Sequence, residues 1–186
     1  AVAAAYMASP AARFYTLRMP TGMGKTLSAL RVALEACRLG RAERVVYVAP
    51  YLTILSQAAG EIERATGLEV MEHHHLSILK SYSDREEDPQ ELLLQESWQA
   101  PIVATTFNQL FRALSPRYAQ ETIRVRAMQK AFLILDEPQV VDGDVWRLFL
   151  ALLEAAAARL EFTSLFITAT TPPLDALRDR PVDLTP

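Results

Sequence analysis

Short apolar runs recur along the chain, each of strand length and each followed by residues whose apolar members fall three or four apart. Phe14 to Leu17 is the first run, and it leads through a glycine-containing loop into a helix from Lys25 to near Gly40. Arg44 to Ala49 reads as a second strand, closed by Pro50 and followed by a helix to about Thr66. Leu68 to Glu72 fits a short third strand; Ile102 to Thr105, Phe132 to Leu135 and Leu165 to Thr168 complete the set. Strands that are β-rich and apolar, each leading into a helix, predict an α/β fold with a mostly parallel sheet and helices on both faces. The helix after Gly143 is expected to pack through Val145, Leu148, Phe149, Leu152 and Leu153. Cys37 shares a helical stripe with Leu27, Leu30 and Leu34, which makes it a small core residue. Asp88-Pro89-Gln90-Glu91 joins a cap, a first-turn Pro and a capping-box acid, and marks a further helix start. The charged stretch Asp84 to Asp88 reads as a solvated loop.

Composition narrows the class without naming the chemistry. With 186 residues, 51% of them hydrophobic, the chain has the size and content of one domain with a substantial core. A net charge of −3 gives no global attraction for nucleic acid, so any such binding must come from local groups. Cys37 is the single cysteine, which excludes intrachain disulfides and suits a reducing cytoplasm. Glu154 interrupts the longest apolar run, so nothing approaches the roughly 20 residues of a membrane helix. The Ala-rich start lacks both a basic leader and an initiator Met, and the chain reads as an excised or processed piece.

The first chemical signal is Met19-Pro-Thr-Gly-Met-Gly-Lys-Thr26, lying between a strand and a helix. Gly22 and Gly24 let the backbone curl so that N–H groups of Thr21 to Thr26, Met23 included, face a triphosphate. The opening helix adds its positive end, Lys25 reaches the outer phosphates, and the Thr26 hydroxyl suits magnesium. Met19 stands where the general pattern has glycine. An ordinary glycine-rich turn is the bland alternative, and the Lys-Thr pair at the right offset argues against it. The second signal is Asp136-Glu137 at the end of an apolar strand. Downstream of a phosphate loop, Asp136 can hold magnesium and Glu137 can orient and deprotonate water. Lys25, Asp136 and Glu137 are thus the candidate catalytic residues, with ATP and Mg the expected ligands.

Asp136-Glu137-Pro138-Gln139 resembles the DExx box of superfamily 2 helicases, and the Pro-Thr-Gly-x-Gly-Lys-Thr loop resembles theirs. Thr168-Ala169-Thr170 looks like the Ser-Ala-Thr motif that couples hydrolysis to strand movement in that family. Pro50 to Gln57 resembles a motif touching the nucleic-acid backbone, with Tyr51 replacing the usual Thr. Val103 to Thr106 resembles the next such motif. Within the superfamily, Tyr47 to Ile54, Glu72 to His75 and Glu96 to Thr106 look like the CRISPR-associated helicase-nuclease family of type I systems. The resemblance implies a RecA-like P-loop NTPase domain over residues 1–186, the first of two motor lobes. It implies contacts to single-stranded DNA from Pro50, Tyr51, Thr105 and Thr106, and coupling through Gln139, Thr168, Ala169 and Thr170. It also implies a second lobe and an HD nuclease in the parent protein, neither visible in this chain, and recruitment to a guide-RNA surveillance complex. Another superfamily 2 translocase and a nucleotide-dependent switch remain open. His73-His74-His75 invites a metal reading, but consecutive strand side chains point to opposite faces. Arg112, Arg117, Arg124 and Arg126 are expected as solvated surface arginines.

Overall fold

The computed structural model describes residues 1–20, 22–75, 93–94, 96–170 and 173–186, with the side chain of Gln120 also outside it. Helix α1 (Val2–Ala8) precedes β1 (Phe14–Arg18), α2 (Lys25–Arg38), β2 (Arg44–Ala49), α3 (Leu52–Thr66) and β3 (Met71–His73). The chain continues through β4 (Ile102–Thr106), α4 (Phe107–Leu114), α5 (Ala119–Ala127), β5 (Ala131–Asp136) and a short 3-10 turn (Pro138–Val140). It ends with α6 (Gly143–Leu160), β6 (Thr163–Thr168) and β7 (Val182–Asp183). The strands form one sheet in the order β3-β4-β2-β5-β6-β1-β7, and every pairing among the described residues is parallel.

Alternation along the buried strands builds two cores. Tyr15, Val45, Tyr47, Ala104, Phe132, Ile134 and Ile167 face one side, where Tyr6 of α1, Ala29, Leu30 and Ala33 of α2, and Leu55, Ala58 and Ile62 of α3 cover them. Val46, Val103, Leu133 and Phe166 face the other, under Leu110 of α4, Ala127 of α5, and Trp146, Phe149 and Leu153 of α6. Both faces are therefore dry, as a parallel sheet requires.

Several sequence expectations shift. The third strand lies at Met71–His73 rather than Leu68 to Glu72, because its partner segment on β4 begins at Val103. On α6 the buried stripe is Trp146, Phe149, Leu150, Leu153 and Ala157; Val145 and Leu148 are exposed. The expected stripe was turned by about one residue. On α2 the buried face is Ala29, Leu30, Val32, Ala33 and Ala36, with Leu27 and Leu34 exposed and Cys37 partly buried at the core margin. Arg124 is not a solvated arginine: it is buried, bonds Gln109 Oε1 at 2.9 Å and pairs with Glu96. The expected loop at 84–88 and helix start at 88–91 lie outside the described residues. No helix among the described residues is long and apolar enough to cross a membrane.

Candidate nucleotide site and its rim

Parallel strands end on one edge, and the chain's chemistry collects there. The loop after β1 turns through Gly22 (φ +81) and Gly24 (φ +73), both in the left-handed region where a side chain would be strained. Gly24 is also the N-cap of α2, so Lys25 and Thr26 open that helix with their N–H groups still unpaired by its ladder. Thr21 lies outside the described residues; Met23 is exposed at the tip of the loop. Met19, where the general loop pattern has glycine, packs at the core margin and donates its N–H to Thr168 O at 3.2 Å.

Across the cleft, β5 delivers Asp136 and Glu137. Lys25 Nζ forms an ion pair with Glu137 Oε1. The other carboxylate oxygen, Oε2, accepts from Gln139 Nε2 at 2.6 Å and from the Ala169 N–H at 3.2 Å. Burial works against charge on Glu137, but the Lys25 ammonium, Gln139 and the Ala169 N–H hold its carboxyl below the usual range. Asp136 is the opposite case: burial raises its carboxyl, while a hydrogen bond from Tyr47 pulls the other way. Tyr47 Oη donates to Asp136 Oδ2 at 2.6 Å, and Asp136 Oδ1 is buried with no hydrogen-bond partner among the described residues. An orphaned carboxylate oxygen on the same cleft as the Thr26 hydroxyl offers the oxygen donors a divalent cation takes, and ligands of this kind suit magnesium. Gly22, Gly24, Lys25, Thr26, Tyr47, Asp136 and Glu137 line one open cleft, which extends along α3 past Gln57 and Glu61. Exposed Leu27 lines it too, which explains its place outside the core stripe.

The residues expected to couple are contiguous with this cleft. Thr168 Oγ1 donates to Gln139 Oε1 at 2.9 Å and accepts from the Thr170 N–H at 3.0 Å. Gln139 therefore bridges Glu137 and Thr168 despite Pro138, whose ring starts the 3-10 turn. Glu137 itself adopts φ 46, a left-handed backbone at the end of the strand. The two strands carrying the halves of the cleft are not neighbours: β6 lies between β1 and β5. Its end is tied to both, through Met19 N–H to Thr168 O and Glu137 N–H to Ile167 O at 2.9 Å.

The expected nucleic-acid rim is only partly assembled. Tyr51 is exposed at the N-cap of α3, Pro50 beside it is half-buried, and Thr106 is the half-buried N-cap residue of α4. Thr106 makes no side-chain cap bond. Thr105 is fully buried and its hydroxyl donates to His73 O at 2.8 Å, so it faces β3 rather than any ligand on the rim. Of the histidines, His73 is buried, His74 half-buried and His75 exposed, and no group of three metal-ligating side chains occurs among the described residues. Sequence reasoning missed Tyr47. A single aromatic inside an apolar strand carries no periodic signal; only the Asp136 partner 89 residues away gives it a role.

Residues 3–177 match the family model described as DEAD/DEAH box helicase. The chain is 32% identical to the CRISPR-associated nuclease/helicase Cas3 of Haloferax volcanii over 185 residues, covering 88% of this chain and 20% of that protein. The chain thus spans about a fifth of the length of that curated relative. Among solved structures, the helicase MrfA bound to DNA superposes with a TM-score of 0.67 at 14% identity, covering 98% of this chain and 26% of that one. The DEAD-box helicase Mss116 bound to single-stranded RNA and UDP-BeF gives 0.62 at 14% identity, covering 95% and 37%. These likenesses establish the RecA-like fold of the sheet and its two helical layers.

Proposed function

The chain belongs to the DEAD/DEAH box helicase family, and from that premise we propose that residues 1–186 are the ATP-hydrolysing first lobe of a CRISPR-associated motor on single-stranded DNA. The observation that carries this reading is the junction at Glu137, where one carboxylate meets both the phosphate-loop Lys25 and the coupling residues Gln139 and Ala169. A phosphate-binding group, a water-activating group and a mechanical output in direct contact are what a nucleotide-driven motor needs.

In this reading the N–H groups of Gly22 to Thr26 cradle the phosphates at the positive end of α2. Lys25 leaves Glu137 for the outer phosphate oxygens, where its charge offsets what develops during transfer. The released Glu137 carboxylate then orients the attacking water in line and accepts its proton. Thr26 and Asp136, through Oδ1, would hold magnesium. A bound cation would supply positive charge across the outer phosphates. A change in the nucleotide alters what Glu137 can bond, and Gln139, Thr168 and Ala169 carry the difference to β6. Pro50, Tyr51 and Thr106 belong to the proposed DNA rim; Thr105 supports it from below.

The parent protein would add the second lobe, whose arginine completes hydrolysis, together with an HD nuclease and recruitment by a guide-RNA surveillance complex in the cytoplasm. The relative's name, a CRISPR-associated nuclease/helicase, supports the nuclease and the CRISPR association. A nucleotide-dependent switch is the second reading, favoured by the engagement of both Glu137 oxygens. Turnover of ATP by the full-length parent, with and without single-stranded DNA and with Lys25→Ala as the blank, separates them. DNA-stimulated hydrolysis that vanishes in the mutant supports the motor; binding without stimulated turnover supports the switch.

A further inference from the structure

At the centre of β2 one residue breaks the strand's chemistry. Val45, Val46, Val48 and Ala49 are buried aliphatics, while Tyr47 between them carries a phenol into the cleft side of the sheet. In the ladder Tyr47 is paired with Ala104 on β4 and Ile134 on β5. We propose that Tyr47 is a positioning residue for the metal: its hydroxyl holds Asp136 Oδ2 at 2.6 Å and so presents Oδ1 alone to a divalent cation. This rests on the nucleotide-site reading of Asp136.

Three observations support it. The phenol is fully buried, and its hydroxyl donates to Asp136 Oδ2. Its acceptor is a carboxylate, which makes the hydrogen bond charge-assisted and directional. Tyr47 and Thr26 line the same cleft, so the phenol sits among the groups expected to serve the cation. The other charged groups on this cleft are Lys25 and Glu137, which pair with each other, and Glu61 and Arg64 on α3. None of them bonds Asp136 Oδ1.

A carboxylate with both oxygens free can pivot and bind a large cation through both. One oxygen fixed in advance favours single-oxygen ligation, the geometry a small octahedral ion such as magnesium requires. The plain alternative is that a buried phenol needs some acceptor and Asp136 was within reach. That alternative predicts a cost in stability only. The positioning role predicts a loss of metal affinity, because partners that orient a ligand typically change affinity by about 10–100-fold.

The experiment uses the full-length parent protein and Mn²⁺ as the probe, titrated by electron paramagnetic resonance with a non-hydrolysable ATP analogue present. Tyr47→Phe removes one oxygen, and Tyr47→Met serves as a second hydroxyl-free variant; melting temperature reports folding. The expected result is about tenfold weaker Mn²⁺ binding in both. In an Asp136→Asn background the same Tyr47 changes should add little, since the held carboxylate is gone. Wild-type Mn²⁺ affinity in a folded Tyr47→Phe protein would overturn the proposal. So would an equal loss with and without Asp136. If Asp136→Asn alone leaves Mn²⁺ affinity intact, the assignment of Asp136 to the metal fails, and the role of Tyr47 fails with it.

Discussion

At Glu137 the backbone turns left-handed and one side chain gathers Lys25, Gln139 and the Ala169 N–H. The two partners of the ion pair should therefore fail differently when replaced. Lys25→Ala removes the charge proposed to face the outer phosphates, and magnesium-ATP binding should be lost in a titration of the folded mutant; unchanged binding would exclude Lys25 from that role. Glu137→Gln keeps the side chain's shape and its contacts with Gln139, so nucleotide should still bind. Turnover by the parent motor should fall by roughly 10²–10⁴-fold, the range of general-base catalysis. Single-turnover kinetics with DNA present would read that split. Much of this was legible from sequence, because Gly-x-Gly-Lys-Thr and an acidic pair after an apolar strand have fixed spacing. The contacts of Tyr47, Arg124 and Thr105 were not. Their partners lie 89, 28 and 32 residues away, and side-chain identity alone does not say which way a buried polar group turns.

Among the elements, the order and type of the main strands and helices followed from apolar runs and their spacing, while phase and exact ends did not. Helix α6 is the instructive case. It is apolar on so much of its circumference that several stripes fit the period, and packing under β5 and β6 chose the one through Trp146. Trp146 stacks on Phe149 with ring centroids 5.5 Å apart, and its Nε1–H donates to Pro173 O at 2.6 Å. Truncating it to Ala should cost about 3–5 kcal/mol. Leu148→Ser, two residues on, about 200° around the helix and exposed, should stay within about 0.5 kcal/mol. Urea midpoints of the two variants check the assignment: similar losses would mean that the stripe runs through Leu148 after all.

Across the whole molecule, the sheet edge at β3 is held by a buried polar cluster as well as by the ladder. Glu96 pairs with Arg124, His73 lies 3.8 Å from the same carboxylate, and Trp98 meets the His73 ring edge-on. His73 and the Arg124 guanidinium hold the Glu96 carboxyl down to about 2, below its ordinary 4.5. Its contribution is therefore complete above pH 4.5 and is lost as the pH falls toward about 2. Protection of the β3 and α4 amides, measured relative to intrinsic exchange at each pH, should fall over that interval, and Glu96→Gln should abolish that fall while lowering protection at neutral pH. No change in the mutant would show that the cluster does not secure this edge.

The position of β6 has a consequence for how the molecule comes into being. Among the described residues β1 pairs with β6 and β7 alone, so the strand that carries the phosphate loop has no sheet neighbour until residues 163–168 have been made. β2, β4 and β5 can associate earlier, since each finds its partner among strands already synthesised. A ribosome-bound chain ending near residue 162 would hold Asp136 and Lys25 without the wedge that fixes their separation. The last central strand to emerge is the one that brings the two together, and competence to hold a nucleotide arrives at that moment rather than growing with length.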